Sequence, residues 1–330
     1  MRSKLMCTAA VTAVILTGGV LVPANAEEPG SDALAAIQAA APEVLEGVAD
    51  APGDGSGEVA IDLEADSTAV SVTVPVDPAD GITLDSGAAG GGVVGLGLPN
   101  AESAATATKE GNGVVSYDNG DGSTTVPVVK EDGSVQVATT IDGPDAPTRY
   151  DYPLTLPDGA TAELDPETGA VSFIGTDGAW LGGVAPAWAN DADGTAIPTR
   201  YELAGTTLTQ IVDHGTGVDY PVVADPWLGF ALIEKAVWAR NLWQYSPTLK
   251  VYPTWWGRYG PIGARWAAWS ETLSKTPRSG WPNPNTASMS GQFYCHYDIV
   301  RLRAPNKEYW GLDSKLPNRG YAGFVANSCN

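Results

Sequence analysis

Histidine and cysteine are nearly absent. The chain of 330 residues holds two histidines, His214 and His296, and three cysteines, Cys7, Cys295 and Cys329. A zinc or similar site needs three or four such ligands held together, and the two histidines lie far apart, so no metal centre and no cofactor is expected. No Gly-x-Ser-x-Gly elbow occurs, which removes the usual seat of an α/β-hydrolase nucleophile. The glycine-rich run from Gly87, GAAGGGVVGLGLP, has no following lysine and no strand–loop–helix context, so it is not a phosphate loop. It reads as a hinge or a packed glycine strand. Cations are scarce over most of the chain: residues 27–225 carry 34 acidic and 4 basic side chains, net −30. Long apolar runs are missing as well. The one candidate, Ala9 to Val22, is short of the roughly 20 residues a transmembrane helix needs.

That short run has a different use. It follows Arg2 and Lys4 and precedes Ala24-Asn25-Ala26, the arrangement of a secretory signal peptide, with cleavage expected after Ala26. The mature chain is then expected to be secreted and extracellular, with no transmembrane segment. Cys7 leaves with the signal. The two cysteines that remain, Cys295 and Cys329, most simply pair in an oxidising compartment.

Residues 27–57 are rich in Ala, Gly, Pro and acids. They read as a flexible segment with a short helix capped at Ser31 or Asp32 and stopped at Pro42. Residues 58–225 alternate polar and apolar residues in short runs. Asn119-Gly120, Asp121-Gly122, Asp132-Gly133, Asp158-Gly159 and Thr168-Gly169 punctuate these runs, and they are dipeptides that accept positive φ. Many short strands at this spacing predict an acidic all-β sandwich or barrel, of which the sandwich is the expected form. Its carboxylates fall mostly in turns and at alternate positions, as on a solvated face. His214 reads as a turn residue.

Pro226 opens a different composition. From there to Asn330 the chain has 12 basic and 5 acidic residues, net +7, and nine of the 11 tryptophans. Such asymmetry predicts a second unit with a different task. Residues 226–248 are apolar almost all round and read as a connecting helix. TLKVYPTWW reads as a strand. Trp266, Trp269 and Leu273 recur at helical spacing within GARWAAWSETLSK, residues 263–275, and should face inward. The stretch QFYCHYDIVRLR fits a strand or a helix. Its length from Met289 to Leu302 favours the helix, with Cys295 facing inward beside Ile299 and Leu302, and Asp298 and Arg301 paired on the outer side.

The same stretch holds the catalytic candidates His296, Asp298 and Arg301. A histidine base needs a reachable substrate and, as a rule, an orienting carboxylate. Two residues apart on a helix, Asp298 cannot orient His296. A structural histidine is therefore the plainer reading, with a phospholipase- or nuclease-like hydrolase as the alternative. The surface candidates are Trp255, Trp256, Arg258, Tyr259, Trp281, Arg303, Trp310 and Arg319. Interleaved cations and aromatics of this kind suit an anionic cell-envelope polymer, lipid headgroups or a glycan. Nucleic acid fits the charge, but export makes it the less expected target.

YPTWWGR, W-S-E-T-L, SMSGQFYCHYD, NKEYWGLDSKLPNRGY and the final SCN together resemble an actinobacterial secreted family, domain-of-unknown-function family 2599, over about residues 249–330. The pattern has a Met-x-x-Gln start, Cys-His, a Trp-x-Leu-Asp/Glu step and a terminal Cys-Asn. The chain departs from it at Gly311, where Asn is more frequent, and at Lys315-Leu316-Pro317, which replaces Trp-Arg-Pro. The resemblance implies export, a Cys295–Cys329 pair and a small compact domain, and no activity. TAELDPETGAVSFIG, YELAGTTLTQIVD and YPVVADPW are similar to a β-rich module that precedes varied C-terminal domains in exported actinobacterial proteins, which implies a carrier. The expected architecture is α+β multidomain: a sandwich-like β unit, then a small α+β, disulfide-stapled, tryptophan-rich unit. The expected function is non-enzymatic binding to an anionic cell surface, as in a bacteriocin-like antibacterial effector. A non-toxic envelope-associated structural protein is the remaining alternative.

Overall fold

Strands as short as these cannot stand alone, so the fold is decided by how they pair. The computed structural model describes residues 29–65, 70–86, 92–241 and 246–330. The expected signal peptide, its cleavage point and Cys7 lie outside the described residues, as do residues 87–91 of the glycine-rich run. Val93–Leu96, from the same run, is a strand.

Two antiparallel sheets form the sandwich. The first has seven strands in the order Val59–Ala65, Val70–Pro75, Ile82–Asp85, Val93–Leu96, Arg149–Thr155, Thr207–Val212, Thr199–Ala204. The second has ten. Its main path runs Thr161–Leu164, Val171–Ile174, Trp180–Val184, Trp227–Gly229, Val135–Ile141, Ser123–Val129, Val114–Asp118, Thr108–Gly111, and Val222–Asp225 and Trp188–Asn190 join beside Val135–Ile141. Ile61, Val72, Leu84 and Tyr152 of the first sheet meet Tyr117, Val137, Phe173 and Leu228 of the second in one core. The glycines of the five turn dipeptides all take positive φ, Gly133 at 78° among them, which only glycine adopts without cost.

The outer face of the second sheet is covered too. A helix, Pro29–Ala40, lays Ala33, Ala36 and Ile37 on Val114, Val126, Val128 and Val223. Ser123–Val129 and Val135–Ile141 are therefore buried at every position. The short helix expected within 27–57 is observed and ends before Pro42, as read; its Ala-rich spacing supplies an apolar stripe that packs on the sheet. The helix starts at Pro29, upstream of the expected caps, and Asp32 lies in its first turn, where a carboxylate favours the helix dipole.

The expected connecting helix at 226–248 is corrected. Trp227–Gly229 is a strand in the second sandwich sheet, paired with both Trp180–Val184 and Val135–Ile141. Ile233–Asn241 is a strand of a separate three-stranded sheet with Ser246–Pro253 and Trp310–Asp313. A strand buried on both faces is apolar throughout, and its sequence looks like a buried helix. In Ile233–Asn241 the alternation is masked because an outward position, Val237, is apolar as well.

Helices Arg265–Lys275 and Ala287–Cys295 contribute Ala268, Trp269, Met289 and Phe293 to the core with Leu249, Val251, Trp310 and Leu312 of the three-stranded sheet. The last helix, Gly320–Ala326, packs on Ala287–Cys295 around the Cys295–Cys329 disulfide. The strand expected in TLKVYPTWW is observed at Ser246–Pro253, and the helix expected within 263–275 at Arg265–Lys275.

The two units share a seam. Trp256, of the short helix Trp255–Tyr259, packs its ring 5.0 Å from Trp180 of the sandwich. The approach depends on Gly183, where an added Cβ would lie 2.7 Å from the Trp256 ring and 2.4 Å from the Val171 carbonyl. Ala170 and Ala185 of the sandwich lie in the same cluster as the C-terminal core. A fragment cut near residue 227 would remove Leu228 from one core and uncover Trp256 in the other.

Candidate functional site

The histidine segment is where helical geometry, burial and charge converge. Thr286 caps the helix Ala287–Cys295, its hydroxyl accepting from Met289 N at 3.2 Å. Gln292 is fully buried and bonds the sheet edge: its amide donates to the Asp313 carbonyl at 3.0 Å and its oxygen accepts from Asp313 N at 2.7 Å. Met289 fills the core beside it, and Cys295 one turn later enters the disulfide. The spaced Met, Gln and Cys thus tie one helix to the core, to the strand Trp310–Asp313 and to the C-terminus.

From His296 to Val300 the helix widens into a π turn, in which Arg301 N–H bonds to the His296 carbonyl. One inserted residue rotates everything downstream by about a third of a turn. This corrects the expected pairing of Asp298 with Arg301. Asp298 is buried and accepts from Arg265 Nη1 at 2.8 Å and from the Tyr321 hydroxyl at 2.8 Å. Arg301 is also buried. It donates to the carbonyls of Gly260 at 2.5 Å and Arg258 at 3.3 Å, with its guanidinium 4.4 Å from the Tyr297 ring centre. The same rotation throws Leu302 outward to 70% exposure, against the expectation that it would join Cys295 inside.

His296 itself is sealed. It is 1% exposed, beneath Trp310 with ring centres 6.5 Å apart. Its Nδ1 lies 2.9 Å from the Gln292 carbonyl; a carbonyl only accepts, so Nδ1 carries the proton. Nε2 is buried with no partner among the described residues. Asp298 does not touch it, as helical spacing predicts. Burial lowers the His296 pKa to about 4, the Gln292 bond opposes this, and Lys307 pushes the same way as burial. The unfolded chain therefore binds a proton that the folded chain excludes between pH 6.5 and 4. The histidine's contribution to stability is complete above pH 6.5 and is lost as pH falls through that window. At pH 4 the loss should be on the order of 2–3 kcal/mol. In His296→Gln this part of the acid sensitivity should disappear from urea midpoints taken between pH 7 and 4.

The surface candidates separate into three groups. Trp256 and Trp310 are core residues, 2% and 0% exposed, and are corrected as surface binders. Arg258 and Trp281 are held in place. Arg258 donates to the carbonyls of Pro305, Lys307 and Glu308 at 2.8, 2.6 and 3.2 Å. Trp281 stacks on Trp238 at 5.8 Å with Arg240 over its face. Tyr259, Arg303 and Arg319 are exposed, and Trp255 is half-buried against Trp256.

The residue that periodicity misplaced is Trp266. It was expected inside with Trp269, yet it is 61% exposed and its ring lies 4.7 Å from Tyr294. Arg265 sits over both rings, 5.4 Å from Trp266 and 5.6 Å from Tyr294, while Asp298 fixes its guanidinium. Ile262, Trp266, Leu302 and Tyr321 are all exposed on elements that converge here. The face is apolar and aromatic, carries Arg265, and has buried Asp298 beneath it, bonded to both Arg265 and Tyr321. Nothing in the local pattern separates Trp266 from Trp269; the neighbouring Arg265 is the one available cue.

Among the described residues no group of three His, Cys, Asp or Glu side chains is placed to hold a metal ion. No helix among them is long and apolar enough to cross a membrane.

Residues 233–330 match the family described as Protein of unknown function (DUF2599). The match begins with the strand Ile233–Asn241, upstream of the resemblance read from the motifs. An uncharacterized protein of Mycobacterium bovis is 33% identical over 103 residues, 30% of this chain and 65% of that protein. Uncharacterized proteins from two strains of Mycobacterium tuberculosis match to the same extent. The chain thus spans 65% of the length of these curated relatives. No solved structure matches the chain.

Proposed function

We propose that this is a secreted, non-enzymatic binding protein whose C-terminal unit engages an anionic cell-envelope surface while the acidic sandwich carries it. The observation that carries the reading is the exposed cluster of Trp266, Tyr294 and the Arg265 that lies over both rings, locked by Asp298, with Ile262, Leu302 and Tyr321 exposed on the elements around it. A rigid arginine lying over two aromatic rings offers charge and apolar area together, which suits phosphate-bearing headgroups or an anionic polymer. His296, the candidate base for a hydrolase, is 1% exposed and so out of reach of a substrate in this fold. A bacteriocin-like effector would use the same face to reach its target cell.

The test uses the full chain and vesicles with and without anionic lipid. Binding should require the anionic lipid and weaken with added salt. Trp266→Ala and Leu302→Ser should each weaken it about tenfold, the loss expected for about 1.4 kcal/mol of apolar burial. Equal binding to neutral vesicles, or no effect of Trp266→Ala, would reject the assignment. In a growth-inhibition assay the effector reading expects Trp266→Ala to lose activity in parallel.

A further inference from the structure

Beside the seam, the sandwich and the C-terminal unit together line an open cleft of about 990 Å³. Trp188 and Trp227 of the sandwich and Trp255 of the C-terminal unit supply aromatic walls, and Glu43, Glu131 and Glu234 supply carboxylates. A smaller pocket of about 300 Å³ shares Trp227, Glu234 and Trp255, and adds Gly229 and Trp256.

Three features of this cleft point to one ligand chemistry. The charge is negative: Lys130 is the one lining cation, and its Nζ is turned onto the carbonyls of Val44 and Glu46. Glu43 and Glu131 have no ion-pair partner among the described residues. The walls include three tryptophans, a side chain that stacks on sugar rings as well as on cations. The third feature is a buried donor. Trp256, 2% exposed, has an indole N–H with no partner among the described residues. It lies at the pocket floor, 3.8 Å from where a Cβ on Gly229 would stand. A buried indole N–H normally finds an acceptor, and a ligand oxygen reaching this floor would supply it.

We propose that this cleft binds an amine-bearing carbohydrate: the sugar ring stacks on tryptophan, its ammonium faces Glu43 and Glu131, and a hydroxyl or ring oxygen accepts from the Trp256 indole. The site is separate from the Trp266 face and does not depend on the envelope-binding reading. A cation without a ring would leave the walls unused, and a neutral sugar would leave the carboxylates without a partner.

The test is calorimetric titration of the full chain with a glucosamine oligosaccharide, its N-acetylated counterpart and spermine. The glucosamine oligomer should bind, and each of the other two should bind at least about tenfold more weakly, given the charge and stacking terms each lacks. Glu43→Gln with Glu131→Gln, both on exposed side chains, should weaken glucosamine binding about tenfold and leave the fold intact by circular dichroism. Trp255→Phe, which keeps an aromatic wall, should retain most of the affinity, and Trp255→Ala should lose it. Equal binding of the N-acetylated oligomer, equal binding of spermine, or no binding of the glucosamine oligomer would each overturn the proposal. These ligands do not probe vesicle binding, so a failure here leaves the other face untouched.

Discussion

Trp310→Ala should cost about 3–5 kcal/mol, the range for truncating a large buried aromatic. Trp310 is fully buried and packs against Phe293 at 5.7 Å, Tyr297 at 6.0 Å and His296 at 6.5 Å. It lies on the strand that Gln292 anchors, so its loss leaves a cavity that the tied backbone cannot close. Water entering that cavity would reach His296 Nε2, and the histidine's pKa should climb from about 4 towards its ordinary value. Urea unfolding followed by near-UV circular dichroism measures the first effect, and NMR titration of the imidazole measures the second. Should the variant unfold within about 1 kcal/mol of the parent and lose ligand binding instead, Trp310 would be a binding residue and the core assignment would fail.

Removing the disulfide should be nearly as costly. Cys295 and Cys329 are 34 residues apart and both buried. Opening a loop of that length returns chain entropy worth about 3–4 kcal/mol to the unfolded state. The segment it closes contains the π turn, the strand Trp310–Asp313 and the helix Gly320–Ala326. The loss should therefore fall on the C-terminal unit. With reductant, or in a Cys295→Ala/Cys329→Ala double variant, the urea transition of the full chain should split, the C-terminal tryptophans melting before the sandwich. Coincident transitions at an unchanged midpoint would show that the bridge does not hold this unit together.

The sandwich was legible because its code is local. Alternation sets strands and Asn/Asp-Gly dipeptides set turns, and both acted as read. The C-terminal unit was legible in outline: two helices, a strand and a cysteine pair. It was opaque where long-range packing outweighs local pattern. Residues 226–241 are apolar on both sides because one strand lies inside a sheet and the next carries Val237 outward, and composition cannot separate that from a buried helix. The π turn left no trace in the periodicity of QFYCHYDIVRLR. One extra residue in a helical turn moved Asp298 from Arg301 to Arg265 and Leu302 from inside to outside. Tryptophan was the other source of error. Trp256 and Trp310 sit among polar neighbours in sequence yet fill cores, while Trp266, placed like a core residue, stands in solvent. The seam and its cleft depend on Gly183 and Gly229 meeting Trp256, residues far enough apart in the chain that no spacing rule connects them.

The exposed face around Trp266 is the proposed meeting point of the molecule with its target surface. Amide hydrogen exchange of the full chain with and without anionic vesicles tests it most directly. The expected result is new protection confined to residues 259–268, 298–303 and 319–324, with the outer strands of the sandwich unchanged. Protection of the sandwich strands with the Trp266 face left unprotected would contradict it.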